Sequence, residues 1–125
     1  MLRAVRAVHA AKVVHCDLKP ANFVLVGGTL KLIDFGISKA IQNDTTNIVR
    51  ENQVGTLNYM SPEALQESSS APAPGGGKIK IGRASDVWSL GCILYEMPFG
   101  KAPFATFSLI QRLQKIMDTG YQIDF

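Results

Sequence analysis

The stretch from Asp86 to Met97, DVWSLGCILYEM, constrains this chain most, because it is apolar on nearly every side of a helix. A helix of that kind is stable only where other elements cover it. We therefore expect a buried central helix at 86–97, with the rest of the chain packed around it. Pro98 should end this helix, since proline lacks a backbone donor and clashes with the preceding turn. With 125 residues, of which 46% are hydrophobic, the chain is long enough to bury a core.

Shorter elements are predicted around this helix. Apolar residues spaced three apart predict a first helix from Met1 to Lys12. Two strands are separated by Gly27-Gly28, a pair that suits a two-residue hairpin turn. The further elements are strands from Phe23 to Val26 and from Leu30 to Ile33, a β-rich stretch from Val13, a short helix from Ser61-Pro62-Glu63 and an amphipathic helix from Thr106 to Met117. The expected fold is mainly α with a small β-hairpin.

A low-complexity run, SSSAPAPGGG, occupies Ser68 to Gly77. The segments on either side are too short to fold alone, so residues 68–80 are predicted to form a surface insertion rather than a linker between domains. Lys78, Lys80 and Arg83 form a small basic cluster beside it. This cluster is either part of a solvated loop or a docking site for an acidic partner.

Composition and charge exclude several classes of protein. No apolar run approaches the roughly 20 residues that span a bilayer, and the first residues lack the apolar stretch of an export signal. The 13 basic and 10 acidic residues give a net charge of +3, which is too small to indicate a nucleic-acid partner. Cys16 and Cys92 form no CxxC motif, which argues against structural zinc and favours a reducing compartment. We expect an intracellular protein with no membrane and no nucleic-acid partner.

Residues suited to one chemistry follow each other between positions 15 and 34. Asp17, Lys19 and Asn22 share a tight loop, and Asp34 follows the predicted hairpin. Because a hairpin brings its two ends together, these side chains should converge. Oxygen ligands hold Mg²⁺, a carboxylate orients a hydroxyl and a cation meets phosphate charge, which together favour phosphoryl transfer. Each residue alone is also a common turn former, but turns do not explain the complete pattern.

These motifs resemble those of the protein kinases. HCDLKPAN at 15–22 matches the catalytic-loop pattern H-R-D-L-x-x-x-N, DFG at 34–36 is identical, and SPE at 61–63 stands where A-P-E closes the activation segment. Lys19 together with Gly55-Thr56 is the serine/threonine pattern. The stretches NFVLVGGTLKLIDFGISKAI, QVGTLNYMSPEAL and SDVWSLGCILYEM are similar to the monopolar-spindle, or spindle-checkpoint, kinases, a dual-specificity branch.

The resemblance implies a domain organisation, cofactors and a cellular setting. Residues 1–125 would be part of a kinase domain: the C-terminal lobe of the α+β kinase fold, without its N-terminal lobe, and with an activation segment at 34–63. The cofactors would be ATP and Mg²⁺. The partner would be a protein substrate carrying serine or threonine, and also tyrosine if the enzyme has dual specificity. Nucleus and kinetochore are implied by the branch alone.

Roles in catalysis follow from the same resemblance, position by position. Asp17 would orient the substrate hydroxyl and accept its proton late in the transfer. Lys19 would meet the γ-phosphate, and Thr56 would bridge to this pair. Asn22 and Asp34 would ligate Mg²⁺.

A second set of residues would shape or regulate the site. Val24 would lie under the adenine, although a strand residue in the hairpin core explains it equally. His15 and Phe35 would form the lower half of the regulatory hydrophobic stack, and Gly36 completes the DFG triplet. Asp86 would hold the backbone of the catalytic loop. It would also be a favourable residue at a helix N-terminus, and both can hold.

Departures from the family pattern carry expectations of their own. Cys16 replaces the usual arginine, so the contact of that arginine with a phosphorylated activation loop should be absent. An inert thiol is expected at Cys16, with redox sensing as the alternative. Thr45, Thr46 and Thr56 are candidate phosphorylation sites, and Thr45 and Thr46 are the better ones because they lie in the polar loop. The alternative for Thr45 and Thr46 is that they are ordinary loop threonines. In the family Glu63 pairs with an arginine beyond Phe125, so here it should be solvated or mispaired.

The Gly-rich loop, the V-A-I-K lysine and the hinge of the family do not occur in these 125 residues. We therefore expect the isolated chain to be inactive. Three functions follow from this: a kinase represented by a fragment, a short non-catalytic binding or decoy module, or a small-molecule phosphotransferase. The SPE segment argues against the last, because it shapes a platform for peptide substrates.

Overall fold

The computed structural model describes residues 1–35, 39–40, 56–69 and 81–124. The helices are α1 (Leu2–Ala10), α2 (Pro62–Ser69), α3 (Arg83–Phe99) and α4 (Leu109–Met117). The strands are β1 (Val13–Val14), β2 (Phe23–Val26), β3 (Thr29–Leu32) and β4 (Lys39–Ala40). Two 3₁₀ turns are formed by Pro20–Asn22 and Thr56–Tyr59. Helices predominate, as the sequence predicts. In the ranges described here, none is long and apolar enough to cross a membrane.

Several predicted features lie outside the described residues. They are Gly36, Thr45, Thr46, the side chain of Thr56 and almost all of the insertion at 68–80. Their roles stay predictions.

The predicted hairpin is confirmed, with its second strand one residue earlier than expected. β2 and β3 pair antiparallel, and Val26 lies opposite Thr29. Gly27 and Gly28 both have positive φ, 57° and 74°, as a tight two-residue hairpin turn requires. Because pairing begins directly after the turn, the strand starts at Thr29. A second small sheet pairs β1 with β4, also antiparallel.

Helix α3 is longer than predicted at both ends. It begins at Arg83 and continues through Pro98 to Phe99, so the prediction that Pro98 ends it is wrong. Proline in the last turn gives up a single helical hydrogen bond, the one to the carbonyl of Leu94, and no later turn of the helix depends on it. The helix ends instead at Gly100, whose φ of 70° is the left-handed cap that glycine adopts easily.

Two hydrophobic clusters meet α3. The first consists of Val5, Leu18, Leu90 and Ile93. The second consists of Leu57, Met60, Ala64, Leu65, Cys92, Phe104 and Ile116. Helix α3 contributes to both clusters, Cys92 to the second and Leu90 and Ile93 to the first. The prediction of burial all round is wrong, since Val87 is 61% and Met97 is 67% exposed in this chain.

Helix α4 starts later than the predicted Thr106, because a capping box fixes its first turn. Ser108 Oγ accepts the Gln111 N–H at 3.4 Å, and the Gln111 side chain accepts the Ser108 N–H at 3.2 Å. Phe107, which the predicted range from Thr106 to Met117 places inside this helix, precedes it. Its ring still packs against the second cluster, so the apolar pattern identified the right residue in the wrong element.

Candidate active site

The loop from His15 to Asn22 is fastened to α3 through one buried carboxylate. Asp86, 1% exposed, accepts hydrogen bonds from the backbone N–H groups of His15 at 2.9 Å and Cys16 at 2.8 Å. The ring of His9 donates to the same carboxylate at 2.8 Å. A buried carboxylate is tolerated when it is paired in this way, and bonds to an ionised acceptor are stronger than neutral ones. Asp86 therefore fixes the backbone immediately before the predicted catalytic aspartate.

His15 links this loop to the segment after β3. Its side chain is fully buried, and Nδ1 accepts the backbone N–H of Asp17 at 3.3 Å. The ring proton therefore belongs on Nε2, which donates to the carbonyl of Ile33 at 3.2 Å. Ile33 in turn donates its N–H to the carbonyl of Asn22 at 2.9 Å. The ring of Phe35 meets the His15 ring edge-on, 5.1 Å between centroids, so the loop and residues 33–35 are held together.

Three of the predicted catalytic side chains meet on this loop. Lys19 Nζ lies 3.0 Å from Asp17 Oδ2, and the Asn22 side-chain amide donates to the Asp17 carbonyl at 2.8 Å. Because Nδ2 of the buried Asn22 holds the loop, its Oδ1 is the atom left for a cation. That oxygen and a carboxylate oxygen of Asp34 are ligands that Mg²⁺ accepts, with phosphate oxygens completing the set. Within the described ranges, no group of three or more His, Cys, Asp or Glu could hold a metal ion by itself.

Cys16 and Asp34 share an unusual backbone conformation. Their φ angles are 67° and 63°, a region that residues other than glycine rarely adopt. Such conformations cost about 1–3 kcal/mol each and cluster at functional sites. The Cys16 thiol donates to the carbonyl of Val14 at 3.6 Å, so it has a local partner, and Asp34 is exposed at the end of the hairpin. Both positions therefore lie where the predicted reacting groups are.

Residues 56–61 lie beside the loop and are held by α3. The hydroxyl of Tyr59 donates to Glu96 at 2.7 Å, and Ser89 Oγ donates to the Tyr59 carbonyl at 2.7 Å. Burial, and then the hydrogen bond and charge of Glu96, raise the pKa of Tyr59 well above its usual range. A small cavity separates this segment from the catalytic loop, with Asp17 and Ser61 among the residues that line it. The segment is thus a fixed surface next to Asp17.

Three other predicted residues have identifiable surroundings. Glu63 is half-buried and accepts a hydrogen bond from Ser85 Oγ at 2.6 Å. Glu63 was expected to be either solvated or paired with a residue other than arginine, and the structure shows the second arrangement. Val24 is half-buried in β2 opposite Lys31, which fits both of its predicted roles. Cys92, in the helix predicted at 86–97, is buried, and burial raises the pKa of its thiol to about 12.

Sequence reasoning missed the contacts that fasten the loop from α1. His9 and its partner Asp86 are 77 residues apart, and Arg83 Nη2 donates to the His9 carbonyl at 3.0 Å. Neither His9 nor Arg83 belongs to a motif. The one signal for His9 is its place four residues after the buried Val5, on the same face of α1.

Comparison with known proteins identifies the family. A protein-family model described as Protein kinase domain matches residues 1–124. The chain belongs to the protein kinase family, and the helix-rich structure with its small antiparallel sheets agrees with part of such a domain.

Three relatives define the branch. The chain is 58% identical over 125 residues to Serine/threonine-protein kinase mph1 of Schizosaccharomyces pombe, 60% over 129 residues to Probable serine/threonine-protein kinase mps1 of Dictyostelium discoideum, and 53% over 126 residues to Dual specificity protein kinase Ttk of Danio rerio. The predicted resemblance to the spindle-checkpoint kinases is confirmed. Each match covers 100% of this chain but only 18%, 13% and 12% of the relative, so the chain spans less than a fifth of the length of these curated relatives.

Proposed function

We propose that this chain supplies the catalytic loop and substrate platform of a protein serine/threonine kinase of the monopolar-spindle type, in the C-terminal lobe of its kinase domain. The reaction transfers the γ-phosphoryl group of ATP to a protein hydroxyl. The observation that carries this proposal is the Asp17 loop, which Asp86 fastens to α3 and His15 fastens to the segment around Ile33. Phosphoryl transfer depends on positioning more than on covalent chemistry by the protein, and this loop is positioned from two sides.

Each side chain at the site has a distinct task in this proposal. Asp17 accepts a hydrogen bond from the substrate hydroxyl and takes its proton as the new O–P bond forms. In the same transfer the bond between the γ-phosphorus and its bridging oxygen breaks, and ADP leaves with that oxygen. Lys19, 3.0 Å from Asp17, keeps that carboxylate oriented and offers positive charge to the phosphoryl group. Asn22 Oδ1 and the Asp34 carboxylate would hold Mg²⁺, which would neutralise phosphate charge when bound with ATP. To Thr56 we assign the role that the family resemblance implies, which is to bridge to Asp17 and Lys19.

The remaining predicted roles belong to the same proposal. They are Val24 below the adenine, the stack of His15 and Phe35, Gly36 as part of the DFG triplet, phosphorylation of Thr45 and Thr46 in an activation segment at 34–63, and a surface insertion at 68–80. Dual specificity, and a location in the nucleus and at the kinetochore, rest on the resemblance to the branch.

The proposal is tested in a chimera: the kinase domain of the mph1 relative with its matching segment replaced by this chain. Peptide phosphorylation is measured with Mg·ATP. Asp34→Ala should lower kcat by about 10²–10³-fold, because it removes a metal ligand. Asp118→Ala, at an exposed aspartate after α4, is the matched control and should leave kcat unchanged. Equal activity of the two variants would overturn the role of Asp34, and an inactive unmodified chimera beside an active parent kinase would overturn the proposed function.

A further inference from the structure

Arg83 stands where a cation is unfavourable. It is the first residue of α3, and the positive end of a helix dipole disfavours basic side chains in the first turn. Helix α1, which packs against α3, already carries the exposed Arg3 and Arg6. A residue that breaks a local preference is compensated elsewhere or serves a function. The partner of Arg83 therefore decides why it is there.

That partner is the C-terminal end of α1. Arg83 Nη2 donates to the carbonyl of His9 at 3.0 Å, and the same carbonyl accepts the N–H of Lys12 at 3.1 Å. His9 lies in the last turn of α1, where carbonyls lack donors within the helix and the helix dipole is negative. A cation is favourable at this point, and the contact offsets the cost of placing Arg83 at the start of α3.

His9 is held from α3 at two points. Arg83 holds its backbone carbonyl, and Asp86, three residues further along the same helix face, accepts its ring N–H at 2.8 Å. The other two bonds of Asp86 hold the backbone N–H groups of His15 and Cys16. One carboxylate therefore serves both His9 and the catalytic loop. A shift of His9 changes the orientation of that carboxylate and with it the loop.

The geometry points to Arg83 as a positioning residue for the catalytic loop: it fixes His9 against Asp86 and thereby sets the place of Asp17. Its effect on turnover rests on the proposed kinase function, but its effect on the loop does not. Because the Arg83 bond is exposed and water competes for it, we expect about two- to tenfold effects rather than complete loss.

The test compares three variants in the chimera. Arg83→Met keeps the length of the side chain and removes its donors, Arg83→Lys restores a donor, and Arg3→Met removes an exposed arginine from α1 as the control. Hydrogen exchange of the His15 and Cys16 amides should be about two- to tenfold faster in Arg83→Met and close to normal in the other two. In the same variant kcat should fall about two- to tenfold while KM for ATP is unchanged, and Arg83→Lys should restore kcat.

Two results would overturn the inference. One is exchange of the His15 and Cys16 amides in Arg83→Met that equals the Arg3→Met control. The other is faster exchange that extends equally to the amides of α4, because the effect would then be a general loss of stability. If Arg83→Met speeds exchange only within the loop, and the chimera phosphorylates nothing, the role of Arg83 is supported and the proposed function is rejected. Activity lost in Asp34→Ala but unchanged in Arg83→Met would support the proposed function and reject the role of Arg83 in turnover.

Discussion

Replacement of Asp86 by Asn should destabilise the domain far more than its small change in shape suggests. The carboxylate accepts one N–H on Oδ1, from Cys16 at 2.8 Å, and two on Oδ2, from His15 at 2.9 Å and His9 at 2.8 Å. An amide can accept on one side only, so one or two buried donors lose their acceptor in either orientation. Each such donor costs about 1–3 kcal/mol, which gives a loss of about 1–6 kcal/mol in the free energy of unfolding.

Thermal unfolding of the chimera measures this loss. At roughly 2–4 °C per kcal/mol for a domain of this size class, Asp86→Asn should lower Tm by about 2–24 °C. Asp118→Asn is the matched control, because Asp118 accepts one exposed backbone N–H, from Gly120 at 2.9 Å. Its Tm should fall by less than about 3 °C. A loss for Asp86→Asn no larger than that of the control would refute the reasoning that the buried carboxylate holds the catalytic loop.

Three further predictions concern the helix cap, a buried hydroxyl and the thiol. Gly100→Ala should destabilise the chimera by about 1–2 kcal/mol, because an added Cβ is strained at a φ of 70°. Gly91→Ala within α3 should instead stabilise it by up to about 1 kcal/mol. Shifts of Tm with the same sign in the two variants would contradict this prediction. The free energy of unfolding should fall as pH rises past about 10, because Tyr59 keeps its proton beside Glu96 in the folded state and loses it in the unfolded chain. Urea unfolding measured across this pH range should show a smaller fall in Tyr59→Phe than in the unmodified chimera. Cys16→Ala should retain most of kcat, and loss of most activity would show that the thiol has a role.

Much of the secondary structure could be predicted from local sequence. The glycine pair at 27–28 predicts the hairpin because a tight turn there needs positive φ at both residues. The boundary of α3 was misjudged because the cost of Pro98 depends on its place in the helix: in the last turn it removes only one bond. The exposure of Val87 and Met97 could not be predicted either. A pattern of apolar residues indicates which face of a helix tends to be buried, but it does not show which segment packs against that face.

The motifs of the candidate site could be predicted from the sequence, but the contacts that hold its loop in place could not. Asp17, Lys19 and Asn22 lie within six consecutive residues, so spacing alone brings them together. The contacts that place them are long-range: His9 and Arg83 act through pairings that no local pattern encodes. Such pairings depend on how the helices pack, which sequence periodicity does not specify.

The rate of a single turnover of phosphoryl transfer tests the central assignment most directly. It is measured in the chimera at saturating Mg·ATP, so that binding and product release do not limit it. Asp17→Asn should lower this rate by about 10²–10⁴-fold while the affinity for ATP stays unchanged, because the variant loses the proton acceptor and keeps the shape of the loop. A rate within about threefold of the unmodified chimera would contradict the assignment of Asp17 as the group that accepts the substrate proton.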